Sequence, residues 1–270
     1  FIFGDIRDYD SVNSSIKGKD IVLHLAALIG IPYSYYSPLA YVKTNIEGTY
    51  NVLNSVKESN IEQLIVTSTS ETYGSAQKVP INETHRLLGQ SPYAATKIAA
   101  DQLAISYWRS FKTPVKIIRP FNTYGPRQSV RAVIPSIILQ ALQNKNIKLG
   151  NIETTRDYTY VSDLCNAYIE LLKSKNLFGI PVNVGLNKEI KIKEIAKTII
   201  KMTNPRLKIV SEKIRFRPKL SEVDRLKCDN SLIKRKTKWK PNITFKKGIE
   251  ETIKWIRENK EKNLTNTYRI

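Results

Sequence analysis

The 270-residue chain lacks most of what would place it in a class at a glance. No apolar run approaches the ~20 residues that a bilayer crossing needs. No charged-then-apolar leader opens it, so no membrane partner and a cytoplasmic setting are expected. Only two cysteines occur, Cys165 and Cys228, with no metal-like spacing; both are read as small packing side chains in a reducing compartment, and no metal is expected. There is no internal repeat and no low-complexity linker. A glycine-rich G-x-x-G-x-x-G turn, the backbone cradle for a pyrophosphate at a helix start, is missing throughout. Acidic residues are scarce: 24 Asp and Glu stand against 44 Lys and Arg, a formal charge of +20. A lysine-rich composition, an anionic substrate with its cofactor, and nucleic acid compete to explain that excess. Aromatics are not interleaved with the basic residues as a base-stacking platform requires, which puts nucleic acid last.

What is present centres on one stretch. Leu64-Ile65-Val66 begins an apolar, β-branched run of the kind that forms a buried parallel strand. It ends in a hydroxyl-rich tip, Thr67-Ser68-Thr69-Ser70, followed by the carboxylate Glu71. Ser91-Pro92 then opens a helix, with Ser as cap and Pro in the first turn. Tyr93 and Lys97 stand at i and i+4 on one face of it. An ammonium beside a phenol favours the phenolate, so the spacing predicts that Lys97 lowers the Tyr93 pKa and makes it usable as a base. In open α/β sheets ligands bind beyond the carboxyl ends of strands, which is where Thr69, Ser70 and Glu71 fall.

Elsewhere the pattern predicts strands over 21–27, 115–120 and 181–185. It predicts helices over 39–59, 92–111, 133–144, 164–174, 191–203 and 246–260. Leu25, Ala26 and Ala27 form a strand tip whose small residues would let a ligand approach the backbone. His24 beside them is read as flanking that site rather than as a core histidine. Residues 31–38 are expected to be an aromatic loop over the substrate, and Asp163 to cap the helix after it. Asn45 falls on the core side of its helix and needs a partner there. Asn122 can donate and accept, which suits a sugar or phosphate. Arg156, Arg217 and Arg225 can grip phosphate bidentately.

Thr69, Tyr93 and Lys97 resemble the catalytic triad of the extended short-chain dehydrogenase/reductases that act on nucleotide sugars. Thr69-Ser70-Glu71 resembles the signature of the 4,6-dehydratase branch, although many members carry Asp in place of Ser70. The runs Arg119-Pro120-Phe121-Asn122-Thr123-Tyr124-Gly125-Pro126-Arg127-Gln128-Ser129, Thr155-Arg156-Asp157-Tyr158-Thr159-Tyr160-Val161 and Ser221-Glu222-Val223-Asp224-Arg225 extend the likeness over nearly the whole chain. They are most similar to the N-acetylglucosamine 4,6-dehydratases of legionaminic-acid pathways. The resemblance implies an α/β, Rossmann-like, doubly wound parallel sheet that lacks its first βαβ segment, with Phe1–Phe3 left without sheet neighbours. It implies an NAD-binding domain over 1–150 and a smaller, interleaved substrate lobe over 151–270. It further implies NAD held by Asp5, Ile6, Leu25, Ala26, Ala27, Thr67, Tyr93 and Lys97. Catalysis would fall to Thr69, Ser70, Glu71, Tyr93 and Lys97, and a nucleotide-sugar substrate would be held by Asn122, Arg131, Arg156, Asn183 and Arg217. A homodimer through helices 39–59 and 92–111 is also implied. A 4-epimerase and a non-catalytic RNA-binding member of the fold are the alternatives. Glu71, a base that an epimerase does not need, weighs against the first, and the intact triad against the second.

Overall fold

The computed structural model describes residues 1–259. Nine strands run in chain order: β1 Ile21–His24, β2 Gln63–Thr67, β3 Val115–Pro120, β4 Asn122–Tyr124, β5 Ile147–Leu149, β6 Thr155–Tyr160, β7 Pro181–Val184, β8 Glu189–Lys191 and β9 Ile209–Ser211. The main sheet has the order β1-β2-β3-β7 and is parallel throughout. Its central strands alternate between two cores, which is why they read as unbroken apolar runs. Leu64, Val66, Val115 and Ile117 pack with helices Tyr9–Ile16, Gly48–Lys57 and Pro92–Phe111. Ile65, Ile118, Val182 and Val184 pack on the other face against helix Val161–Lys173 and Trp239. Leu64, Ile65 and Val66 are wholly buried; truncating Leu64 or Ile65 to Ala costs about 2–5 kcal/mol. Helices on both faces of a parallel sheet give the expected α/β fold.

The carboxy-terminal part builds a third core, in which helices Val133–Leu142, Ile192–Thr203 and Phe245–Glu258 bury Ile137, Ile138, Ile195, Ile199, Ile249 and Ile253. It is fastened by two small sheets, β4-β6-β8 and β5-β9. Because β7 returns to the main sheet, residues beyond 150 contribute to both cores. The expected helix over 246–260 and lobe over 151–270 reach past residue 259, outside the described residues.

Several expectations are corrected. The strand over 21–27 stops at His24 and is not buried: it pairs only with β2 among the described residues, and Ile21 and Leu23 stand outward on the sheet edge. Phe1–Phe3 are exposed and form no strand, as expected. The loop over 31–38 is instead helical, because Pro32 and Pro38 both sit in first turns, at the starts of Ile31–Tyr36 and Pro38–Tyr41. The helix over 39–59 contains a π segment, Val42–Glu47. Its wider turn shifts the apolar face, leaving Val42 and Tyr50 exposed and burying Tyr41, Asn45 and Thr49. Asn45 finds the partners it needs: it bonds the N–H and carbonyl of Leu28 at 2.9 and 3.0 Å, and Thr96 Oγ1 at 3.1 Å. Asp163 lies inside its helix, where its carboxylate accepts the N–H groups of Asn242 and Ile243 and so docks the later chain.

Candidate active site

The site forms where β2 ends. After Thr67 the chain turns into a short 3-10 helix, Ser70–Tyr73. Thr69 starts it in extended backbone, its Oγ1 accepting the Glu71 N–H at 3.2 Å and its carbonyl accepting Thr72 Oγ1 at 2.8 Å. Gly74 ends it at φ +61°, where an added Cβ would lie 2.9 Å from the Leu88 carbonyl, so only glycine fits. The turn buries Ser70 and leaves Glu71 half-buried.

Helix Pro92–Phe111 begins as the sequence predicts, with Ser91 Oγ accepting the Ala94 N–H at 3.1 Å. Tyr93, Lys97 and Asp101 are buried along one face. The Lys97 ammonium donates to the Thr67 carbonyl at 2.6 Å and so fastens this helix to the tip of β2. The Tyr93 phenol lies where Thr69 hydrogen-bonds it and the charge of Glu71 reaches it. The Tyr41 ring packs edge-on against Tyr93 at 6.3 Å. Four of the five expected groups, Thr69, Glu71, Tyr93 and Lys97, therefore converge at one strand end, with Ser70 buried beneath them.

One expected effect is reversed. Burial pushes the Tyr93 phenol above its ordinary value, with the Thr69 hydrogen bond opposing and Glu71 reinforcing the rise. Lys97 gives one of its three donors to the Thr67 carbonyl, and burial lowers it to about 8, against the pull of Asp101. Desolvation thus outweighs the phenol–ammonium attraction that the i, i+4 spacing promised. His24 is a buried ring bonded through Nε2 to Thr49 Oγ1 at 3.0 Å, and the Lys97 charge helps burial lower it to about 3.

The residues expected around a cofactor divide. Ala27 is part-exposed and Leu25 and Ala26 exposed at the mouth of β1, while Ser68 Oγ at the β2 tip is buried with no partner among the described residues. Asp5 is tied to Arg7, which holds its carboxyl near 2, at an open hollow of about 300 Å³ shared with Lys43 and Glu47. Ile6 faces inward instead: its side chain lies over Gly48, where an added Cβ would come within 2.8 Å, and its carbonyl accepts Asn51 Nδ2 at 3.0 Å.

On the opposite rim, Arg156 is buried on β6 and reaches Glu222 at 3.6 Å, and Arg217 reaches the same carboxylate oxygen at 3.7 Å. Arg217 Nη1 and the Tyr158 hydroxyl are buried there without hydrogen-bond partners among the described residues. The charges of Arg156, Arg217 and Glu71 all act on Tyr158, whose phenol burial raises to about 12. Asn122 is half-buried and stands beside Tyr158 in the β4–β6 register. Arg131 is exposed, and its charge reaches Tyr41 on the Tyr93 side. Two expected binders are already engaged with partners of their own. Asn183 is fully buried, its amide accepting from the Tyr73 hydroxyl at 2.7 Å and donating to the Ile81 carbonyl at 3.1 Å. Arg225 is an exposed partner of Glu189 at 2.8 Å. Tyr158 and Glu222 escaped sequence reasoning, although both lie in motifs it quoted; an alternating polar strand carries no apolar signal to draw attention to them. The segment bearing Arg217 and Glu222 is held across the rim by Tyr35 to Ser221 at 2.6 Å and Gln90 to the Leu220 carbonyl at 3.1 Å. Beside it, Phe216, Gly150, Asn151 and Ile152 line an open cavity of about 410 Å³.

Residues 1–252 match a known family, that described as GDP-mannose 4,6 dehydratase. The chain belongs to that family. Among curated members and relatives, the dTDP-D-glucose 4,6-dehydratase of Bos taurus is 31% identical over 268 residues, covering 96% of this chain and 74% of that protein. Among solved structures, the dTDP-glucose 4,6-dehydratase of Streptomyces venezuelae, a double mutant with NAD bound, superposes with a TM-score of 0.88 at 25% identity, covering 97% of this chain and 80% of that one. The UDP-N-acetylglucosamine 4-epimerase of Methanobrevibacter ruminantium, in complex with UDP-N-acetylmuramic acid, also gives 0.88, at 30% identity and 96% and 83% coverage. The 4,6-dehydratase family thus includes this chain among enzymes that modify nucleotide-activated sugars.

Proposed function

We propose that this chain removes water from a nucleotide-activated hexose, most closely an N-acetylglucosamine, to give the 4-keto-6-deoxy sugar. The observation that carries the reading is the meeting of Glu71 with Thr69, Tyr93 and Lys97 at the end of β2. Relatives named as 4,6-dehydratases support the reaction, and a neighbour that acts on UDP-N-acetylglucosamine supports the sugar. Placement in a legionaminic-acid route, a cytoplasmic setting and a homodimer belong to the same proposal.

Tyr93 takes the proton of the C4 hydroxyl, and Thr69 hydrogen-bonds the same oxygen. Burial keeps the phenol protonated in the free chain, so this step needs a cation beside it. Lys97, charged below its lowered value of about 8, is the cation the helix supplies. Glu71 takes the C5 proton once C4 is a ketone, and the C6 hydroxyl leaves as water. Ser70 cannot act as an acid at neutral pH, so Glu71 passes the C5 proton to the leaving hydroxyl, and the proton that Tyr93 took from the C4 hydroxyl is returned to C5 as the 4-keto-6-deoxy sugar forms. NAD, when bound, supplies the hydride acceptor at C4 and the hydride donor at C6. Ala26, Ala27, Thr67 and Lys97 would hold it, and the unpartnered Ser68 hydroxyl is a polar group left over at that place. Arg156, Arg217 and the Tyr158 hydroxyl would bind the diphosphate, with the nucleoside base in the cavity beside Phe216.

Incubation with UDP-N-acetylglucosamine should yield a product lighter by one water, and Glu71→Gln should lose about 10²–10⁴-fold of that rate. Full dehydration by Glu71→Gln would reject the assignment. The epimerase reading is favoured by Ser70, which is no acid, and by the epimerase neighbour; a product of unchanged mass would establish it.

A further inference from the structure

Arg119 stands near the end of β3, 2% exposed, where a guanidinium must spend its donors well to be tolerated. Its Nε donates to Asp101 Oδ2 at 2.8 Å and its Nη1 to the Tyr73 hydroxyl at 2.9 Å. Its central carbon lies 5.0 Å from the centre of the Tyr73 ring. Tyr73 donates onward to Asn183 Oδ1 at 2.7 Å, and Tyr73, Asp101 and Asn183 have no exposure at all.

These contacts join the two segments that carry the reacting groups. Asp101 is one turn beyond Lys97 and two beyond Tyr93 on helix Pro92–Phe111. Tyr73 closes the short helix Ser70–Tyr73, two residues after Glu71. Each segment also has anchors of its own: the helix has Lys97 on the Thr67 carbonyl and Thr96 with Asn45, and the turn has its cap at Thr69 and the Leu88 N–H on the Thr72 carbonyl. Asp101 Oδ1 is buried with no hydrogen-bond partner, and the Asp101 charge reaches both Lys97 and Tyr93.

We infer that Arg119 is a positioning residue: by holding Tyr73 and Asp101 on two nitrogens of one planar group, it sets the distance between the Glu71 carboxylate and the Tyr93–Lys97 pair. Lysine cannot replace it, because a single ammonium lacks the fixed fork that reaches both partners at once. A buried ion pair with only a packing role would reach one segment and leave the other to its own cap. The inference rests on the reading of Glu71 as the group that takes the C5 proton.

Tyr73→Phe is the informative variant, since it removes one hydrogen bond and keeps the ring. In the chain without substrate, amide exchange should speed up about tenfold or more at Thr72 and Gly74, which bond within the turn to Thr69 and Glu71. Amides of helix Pro92–Phe111 should keep their rates. With nucleotide hexose deuterated at C5, the isotope effect on kcat should rise while KM changes little, because proton removal from C5 becomes slower than the steps around it. Arg119→Lys should speed the same turn amides. Unchanged exchange at Thr72 and Gly74 in Tyr73→Phe, or equal acceleration throughout the helix, would overturn the inference. So would a slower kcat with no change in the C5 isotope effect. Absence of dehydrated product from the unsubstituted chain would reject the functional reading instead, and the exchange comparison would still decide whether Arg119 sets the turn.

Discussion

Two arginine clusters flank the candidate site and differ in how fully they are used. Beneath it, Arg119, Asp101, Tyr73 and Asn183 are joined by bonds of 2.7–2.9 Å with no solvent contact. On the rim, Arg156 and Arg217 share one carboxylate at 3.6 and 3.7 Å, Arg217 is 29% exposed on its side chain, and two buried polar atoms have no partner. Burying a charge is tolerated when it is paired and hydrogen-bonded. The lower cluster meets that condition at every atom but Asp101 Oδ1, and the upper one meets it only through the stretched distances to Glu222. The difference separates a cation that holds the fold from cations whose hydrogen-bonding capacity is left for an anion.

The widest test of that contrast is stability. Arg119→Met leaves Asp101 as an unpaired carboxylate of zero exposure and should destabilise the chain by about 3–5 kcal/mol, seen as a lower denaturant midpoint. Arg217→Ala, losing one stretched pair at a partly open position, should change the midpoint by less than about 1 kcal/mol. Equal losses at the two positions would erase the distinction.

Binding should show the reverse order. Arg156→Ala and Arg217→Ala should each weaken UDP affinity about tenfold to a hundredfold, or about 1.4–2.8 kcal/mol by calorimetry. The exposed Arg225, paired with Glu189, should be indifferent when changed to Ala.

Buried lysines sharpen the comparison through pH. Lys116, fully buried on β3, donates to Gln63 Oε1 at 2.7 Å and to the carbonyls of Leu171 and Ser174, and burial lowers it from 10.5 to about 8. Because the folded value lies below the unfolded one, the folded chain binds fewer protons between about pH 8 and 10.5. The penalty of the buried charge is whole below 8 and is relieved above it, so Lys116 makes stability rise with pH across that window. Cys228, raised by burial, acts the other way above 9. The stability difference between the native chain and Lys116→Met isolates the lysine: it should move in favour of the native chain from pH 8 to 10.5. A constant difference would contradict the lowered value.

How much of this was legible in the sequence follows from which forces leave a local mark. Leu64-Ile65-Val66, the Ser91 cap and the Pro92 start are local signals, and the strand and the helix to Phe111 appear where they were expected. The strands of the β4-β6-β8 sheet did not announce themselves, because Thr155–Tyr160 holds two adjacent charges and no aliphatic residue, and β4 is three residues long. The π segment at Val42–Glu47 shifts a helical face without any glycine or proline to signal it. At the site, the spacing of Tyr93 and Lys97 was readable, but their burial was not, and burial decides the direction of both titrations. Asn183 was assigned to ligand because its partner Tyr73 lies 110 residues away, a distance that no local pattern spans.

The smallest effect concerns Glu222, the carboxylate that Arg156 and Arg217 share. An incoming diphosphate meets those arginines already facing an anion, on a segment that Tyr35 fastens at Ser221 and Gln90 at the Glu222 backbone carbonyl. Glu222→Gln keeps the shape and removes the charge, so inorganic pyrophosphate should bind about two- to fivefold more tightly, with a gain that shrinks as salt is added. UDP brings a ribose as well as phosphates, and a carboxylate can accept from ribose hydroxyls. If Glu222 does so, the same substitution should weaken UDP while tightening pyrophosphate. Tightening of both would make Glu222 purely a competitor for the arginines, and weakening of both would show that the carboxylate holds the two guanidinium groups in place for their ligand.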